Sequence, residues 1–253
     1  MPGVVITGAD RGLGLSLCKE YLKRGWTVFA GKYLDDYTLL EDLANEVGDA
    51  NSVGEANSDG ANLHIVKLDV GSEDSLAALK DEVLKVTDSL DMLISNAALM
   101  GPVQCNLYEE PMNLEAVWDS FRVNAMGPVR LASSLLPLFD RGGMKRLCFV
   151  SSEVSCIVLM KHRGDSAYPY PMSKASLNMG VRILHNQLYS QGYTFRLFHP
   201  GWMKRRMQDG SLSETALYDP DYIGDIAAKY FLTPLRDEHR LVMVDYCGYE
   251  WTY

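Results

Sequence analysis

The sequence predicts an α/β fold, a parallel sheet of about seven strands covered on both faces by helices. Three observations carry that reading. Apolar, β-rich runs alternate with amphipathic helical windows along the chain. The runs are nearly unbroken in their apolar character, as strands buried on both faces must be. A length of 253 residues, 47% of them hydrophobic, suffices for one full-sized core.

The elements follow in order. "GVVITG" (Gly3 to Gly8) reads as a strand leading into the helix "LGLSLCKEYLKRG". "TVFAG" leads into "YTLLEDLANEVG", and "LHIVKLDV" into "EDSLAALKDEVLKV". "DMLISNA" precedes a long helical region from Asn113 to about Phe139. Then come "RLCFVSS", a helix from about Pro171 to Gln191, "TFRLFHPG", a helix near Tyr222 to Leu232 and a last strand "RLVMVDY". The polar, glycine-rich stretch Gly48 to Asn62 is expected to be an exposed loop. No repeat or long linker divides the chain, so a single domain over residues 1–253 is expected.

Composition narrows the function. A formal net charge of -9 argues against a broad basic surface for nucleic acid or acidic lipid. No stretch of about 20 apolar residues is available to cross a bilayer, and the first strand begins at Val4, leaving no room for a signal peptide. Cys18, Cys105, Cys148, Cys156 and Cys247 form no C-x-x-C pair and have no histidine at metal-ligand spacing. No metal site is expected, the thiols read as reduced, and the expected location is cytoplasmic with small molecules as partners.

The first specific site is "TGADRGLG". Gly8, Gly12 and Gly14 follow a strand and open a helix. Small residues there let backbone N–H groups approach a pyrophosphate, and a helix N-terminus favours its charge. A second feature is "AYPYPMSKAS", with two tyrosines just ahead of a lysine.

Together with "LDV" at Leu68 to Val70, "NAA" at Asn96 to Ala98, Asn124 in "VNAMGP", the serine pair of "FVSSEVS" and "HPGW" at His199 to Trp202, these motifs resemble the short-chain dehydrogenase/reductase family. The resemblance covers nearly the whole chain. "VFAG", "YPMSKASLNM", "HPGWMK" and "VDYCGYEW" look most like the carbonyl reductases related to C-factor and sniffer. It implies a Rossmann-like doubly wound sheet and an NAD(P)-dependent oxidoreductase acting on a carbonyl or alcohol, with a homodimer or homotetramer possible. Cofactor contacts implied are Gly8, Asp10, Arg11, Gly12, Leu13, Gly14, Lys32, Asp69, Val70, Asn96, Ala97, Ala98, Tyr170, Lys174, Pro200, Gly201 and Met203.

The family pattern Tyr-x-x-x-Lys selects Tyr170 over Tyr168, since residues four apart share a helix face. By resemblance, Tyr170 exchanges the proton, Lys174 holds the nicotinamide ribose, Ser152 hydrogen-bonds the reacting oxygen and Asn124 supports a proton path. Adjacent strand residues point to opposite faces, so only one of Ser151 and Ser152 is expected to face the site. A cation about 4 Å from the phenol, at an effective dielectric near 20, is worth about 4 kcal/mol, roughly three pKa units before desolvation. Lys174 is therefore expected to bring the phenol towards working pH.

Lys32 stands where NAD-preferring sites often carry an acid, and Arg11 lies in the glycine loop, which favours NADP(H) and leaves NAD(H) possible. Asp35 and Asp36 would repel a 2′-phosphate if turned inward. Substrate loops are expected at about 153–169 and 200–220, with Met100, Val103, Val154, Met160, Trp202, Met203 and Met207 as possible pocket walls. The Ser152 to Tyr170 interval is longer than in the family. "HPGWMKRRMQDG" offers Lys204, Arg205 and Arg206 where relatives carry a threonine. These cations and "MKHRG" could form a basic lid favouring anionic substrates, or two separate solvated loops. His162 and His199 read as structural. Two other classes keep such a fold: a nucleotide-sensing regulatory protein with little turnover, and a scaffold without cofactor.

Overall fold

The computed structural model describes residues 1–51, 62–101, 111–158 and 168–253. Val103, Cys105, Met160, "MKHRG" with its His162, and most of the glycine-rich stretch after Gly48 lie outside the described residues.

Eight strands form one sheet in the order β3-β2-β1-β4-β5-β6-β7-β8. These are β1 Gly3–Thr7, β2 Thr27–Lys32, β3 Leu63–Lys67, β4 Met92–Ser95, β5 Arg146–Val150, β6 Thr194–His199, β7 Met243–Asp245 and β8 Glu250–Trp251. The first seven run parallel, as their apolar character requires. The helices are α1 Gly12–Lys23, α2 Leu39–Asn51, α3 Glu73–Leu84, α4 Leu114–Phe121, α5 Gly127–Phe139, α6 Pro169–Leu188 and α7 Pro220–Leu232.

Strand residues alternate between two cores. Val5, Phe29, Leu93, Leu147, Phe149 and Leu197 face α3, α5 and α6. Their neighbours Val4, Ile6, Val28, Met92, Ile94, Cys148 and Phe198 face α1, α2 and α7. The period of two thus survives in strands too apolar to reveal it by sequence. Local signals start the helices: Ser72 and Asn113 cap α3 and α4 by accepting from Ser75 N and Ala116 N, and Asp219 caps α7 ahead of Pro220.

Three expectations change. The region from Asn113 to Phe139 is two helices joined by a wide π turn at Arg122–Met126. At its end Gly127 packs so closely on β3's exit loop that a Cβ would lie 2.5 Å from Val70 O. The stretch from Gly48 to Asn51 continues α2 rather than starting a loop. "RLVMVDY" pairs only over β7. The chain then turns through Gly248, at φ +86°, and β8 returns antiparallel. Asp245 organises that turn by accepting from Cys247 N, Tyr249 N and Trp251 Nε1 at 2.8–3.0 Å.

Candidate active site

The carboxyl ends of β1, β4, β5 and β6 bring the sequence-selected residues to one edge. α6 carries Tyr170 and Lys174 from its first turns, with Pro169 at the helix entrance. Lys174 is buried, donates from Nζ to Val150 O at 2.8 Å and lies 5.7 Å from the centre of the Tyr170 ring. Tyr168 occupies the N-cap position, and its carbonyl accepts from Met172 N.

The serine pair divides as strand geometry demands. Ser151 Oγ donates to Asn178 Oδ1 at 2.7 Å inside the core. Ser152 is half-buried and hydrogen-bonds the Tyr170 phenol. Asn124 sits in the π turn, fully buried. Its Nδ2 donates to Leu99 O at 2.7 Å and Ser173 Oγ at 2.9 Å, while Oδ1 accepts from Leu99 N. The π turn thus clamps the segment after β4 to α6, a use of π geometry common at functional sites.

Electrostatics differ from the sequence expectation. Burial pushes the Tyr170 phenol up to about 12, against which the Ser152 hydrogen bond acts only in part. Burial also brings Lys174 down to about 8. The ammonium engages the Val150 carbonyl and overlies the ring, so it does not offset the phenol's desolvation. The phenol is therefore protonated at neutral pH.

Beside this group lies the glycine loop. Gly8 and Gly12 have φ +62° and +55°. A Cβ on Gly14 would lie 2.1 Å from Gly8 O, and one on Gly8 would lie 2.7 Å from Ala97 Cα. Arg11, at the N-cap of α1, makes no side-chain cap, and the first turn carries no acid. Bare backbone and an uncapped helix start suit a pyrophosphate, so the residues present fit a dinucleotide.

Several expected contact residues brace this cradle. Thr7 Oγ1 accepts from Asn96 N and Ala97 N, and Asn96 Nδ2 donates to Thr7 O and Gly8 O at 3.0 Å. Asp10 is buried and accepts from Tyr33 N and Leu34 N at 2.7 Å, fixing the exit of β2. Leu13 is buried in the core, and Ala98 is exposed after β4. Asp69 accepts from Gly71 N, with Val70 buried beside it. Pro200 is buried. Gly201, at φ +75°, packs so closely on the Tyr246 ring that a Cβ would lie 2.7 Å away. Met203 bridges to Tyr218. Sequence reasoning missed Thr7, Ser173 and the Val150 carbonyl. A hydroxyl at a strand end and a main-chain oxygen carry no sequence signature.

The cations are arranged otherwise than expected. Lys32 Nζ pairs with Glu41 Oε1 at 2.6 Å, so its charge is already engaged. Arg11 donates to Tyr37 Oη at 3.1 Å and stacks over that ring. Asp35 pairs with Lys67, and Asp36 accepts from Gln208 Nε2. Arg206 binds Asp221 at 3.0 Å and lies 3.8 Å from Asp219, which ties it to the start of α7. His199 is buried, and its Nδ1 accepts from Glu153 N. Among the described residues no group of side chains could hold a metal, and no helix is long and apolar enough to cross a membrane.

Comparison with known proteins agrees with this geometry. The short chain dehydrogenase profile matches residues 3–216. An uncharacterized oxidoreductase of Schizosaccharomyces pombe is 31% identical over 244 residues, covering 94% of this chain and 88% of its own. The carbonyl reductase Sniffer of D. melanogaster superposes with a TM-score of 0.81 over the whole of both chains at 24% identity, a likeness of fold. A carbonyl reductase from Pseudomonas aeruginosa in complex with NADP gives a TM-score of 0.76 at 26% identity, again over both whole chains. With these motifs seated on this sheet, the chain belongs to the short chain dehydrogenase family of oxidoreductases.

Proposed function

We propose that this oxidoreductase is an NADPH-dependent carbonyl reductase with Tyr170 as proton donor. The observation that carries the reading is a phenol kept protonated by burial, hydrogen-bonded to Ser152 and lying over the buried Lys174 at the carboxyl edge of the sheet. When bound, the cofactor supplies hydride to the carbonyl carbon. The chain's own residues do the rest. Ser152 and Tyr170 hold the carbonyl oxygen between two hydroxyls, and Tyr170 Oη delivers the proton that the reduced oxygen requires. Lys174, held by the Val150 carbonyl, anchors the ribose. Asn124 fixes the Leu99 backbone against α6, so the wall of the groove keeps its distance from the phenol.

NADP(H) is favoured over NAD(H) by the NADP-bound relative from Pseudomonas aeruginosa and by Lys32 standing at the end of β2, where NAD-preferring sites often carry an acid. The mouth is apolar: Met100, Ile157, Val158 and Trp202 are exposed after β4, β5 and β6. Carbonyl compounds with an apolar body fit that rim.

The test is Tyr170→Phe. Reduction of a panel of aromatic and aliphatic carbonyls should fall by about 100-fold or more, while NADPH binding, followed by nucleotide fluorescence, changes little. An active Tyr170→Phe variant would refute the assignment.

A further inference from the structure

The segment after β6 begins beside the catalytic edge at Pro200 and Gly201, yet it reaches the loop after β2. Gln208 Nε2 donates to Asp36 Oδ2 there. Gly210 lies against Leu39, close enough that a Cβ would sit 3.8 Å from Leu39 Cδ2. Between these ends the segment is pinned to α1 and α7. Arg206 binds Asp221, Asp221 accepts from Ser16 Oγ, and Ser16 Oγ lies 3.0 Å from Gly12 O in the glycine loop.

Among the described residues, Lys32 at the end of β2, Arg11 in the glycine loop and Asp35 and Asp36 in the loop after β2 are the charges beside the place expected for the 2′ position of an adenosine ribose. Each is engaged. Lys32 pairs with Glu41, Arg11 with Tyr37, Asp35 with Lys67, and Asp36 with Gln208. Of the two acids in the loop, Asp36 alone is held by a neutral amide, and that amide belongs to the segment following β6. A carboxylate released from such a hold can swing to the ribose, where it accepts from a 2′-hydroxyl and repels a 2′-phosphate.

We infer that Gln208 is a positioning residue for coenzyme specificity, acting through Asp36 to keep a carboxylate away from the 2′-phosphate of NADPH. This rests on the NADPH-dependent reading above and extends it to a residue outside the glycine loop and the second strand. It also joins the substrate-side loop to the adenosine-side loop, so one segment serves both ends of the groove.

Equilibrium binding of NADPH and of NADH, measured by nucleotide fluorescence without turnover, tests the inference. In Gln208→Ala the ratio of NADPH to NADH affinity should fall by about fivefold or more, with NADH affinity unchanged or improved. Asp36→Asn added to Gln208→Ala should restore the native ratio, a rescue that a merely structural loop contact would not give. Equal weakening of both coenzymes, or a ratio within about twofold of native, would overturn the role of Gln208 while leaving the reductase reading intact. Binding of neither coenzyme by the native protein would overturn both.

Discussion

Lys174 is an ammonium held where water cannot solvate it, and that strain is measurable apart from activity. Its folded-state pKa, near 8, lies below the unfolded value of about 10.4. Between those values the unfolded chain binds more protons, so this group makes stability rise with pH across that window. Lys174→Met removes the titration. The stability of native protein relative to the variant, from urea unfolding, should increase by about 2 kcal/mol from pH 7 to pH 10; a constant difference would show that the lysine is well solvated. The Tyr170 and Lys174 pair was legible in sequence because four positions make one turn of helix. The electrostatic outcome was not. The expected lowering of the phenol assumed an ammonium beside the hydroxyl, whereas a backbone oxygen at Val150 claims that ammonium and burial raises the phenol to about 12.

The glycine loop is where the first strand and first helix were readable in full, since a tight strand-to-helix turn demands residues without side chains at fixed spacing. Gly14→Ala should abolish coenzyme binding and cost about 2 kcal/mol or more of stability, because its Cβ would meet Gly8 O at 2.1 Å, and backbone does not give way. Gly12→Ala is the control. Apart from its own neighbours along the chain, no atom of the described residues lies within 4 Å of its Cβ, so the left-handed backbone at φ +55° is what is penalised, by about 1–2 kcal/mol. Isothermal titration and thermal melts separate the two. The π turn before α5 was not legible, because "RVNAM" has ordinary helical composition and the tertiary packing around it, such as the approach of Gly127 to Val70, has no sequence signature. The three helix caps at Ser72, Asn113 and Asp219 were equally available in sequence but were overshadowed by the apolar pattern.

At the scale of the sheet, the proposed site lies at the carboxyl edge and a buried cluster of charge at the opposite edge. There the buried Arg196 binds both oxygens of Glu238 at 2.6 and 2.8 Å, and Arg146 reaches the same carboxylate at 3.3 Å. The two guanidiniums also donate to Phe231 O and Thr233 O at the end of α7, a favourable place for cations. Glu238 is held below its usual carboxylate range, its hydrogen bonds and charge partners overcoming burial. Its contribution is present above the unfolded pKa of about 4.3 and lost as pH falls through the lower folded value. Glu238→Gln should therefore destabilise the protein by about 2 kcal/mol at pH 7, read from denaturant midpoints, with the gap closing in acid. A stability unchanged at pH 7 would mean the arginines are satisfied by carbonyls alone. Neither arginine announced this role, since each lies within an apolar run that reads as plain strand. Finally, the reversal into β8 changes what the sheet offers to other copies of itself. Its last rung is two residues long, runs against the other seven and carries Glu250 ion-paired to Arg240. A neighbouring chain seeking to extend the sheet there meets a short charged stub instead of a parallel template, which guards this edge against polymerisation through strand addition.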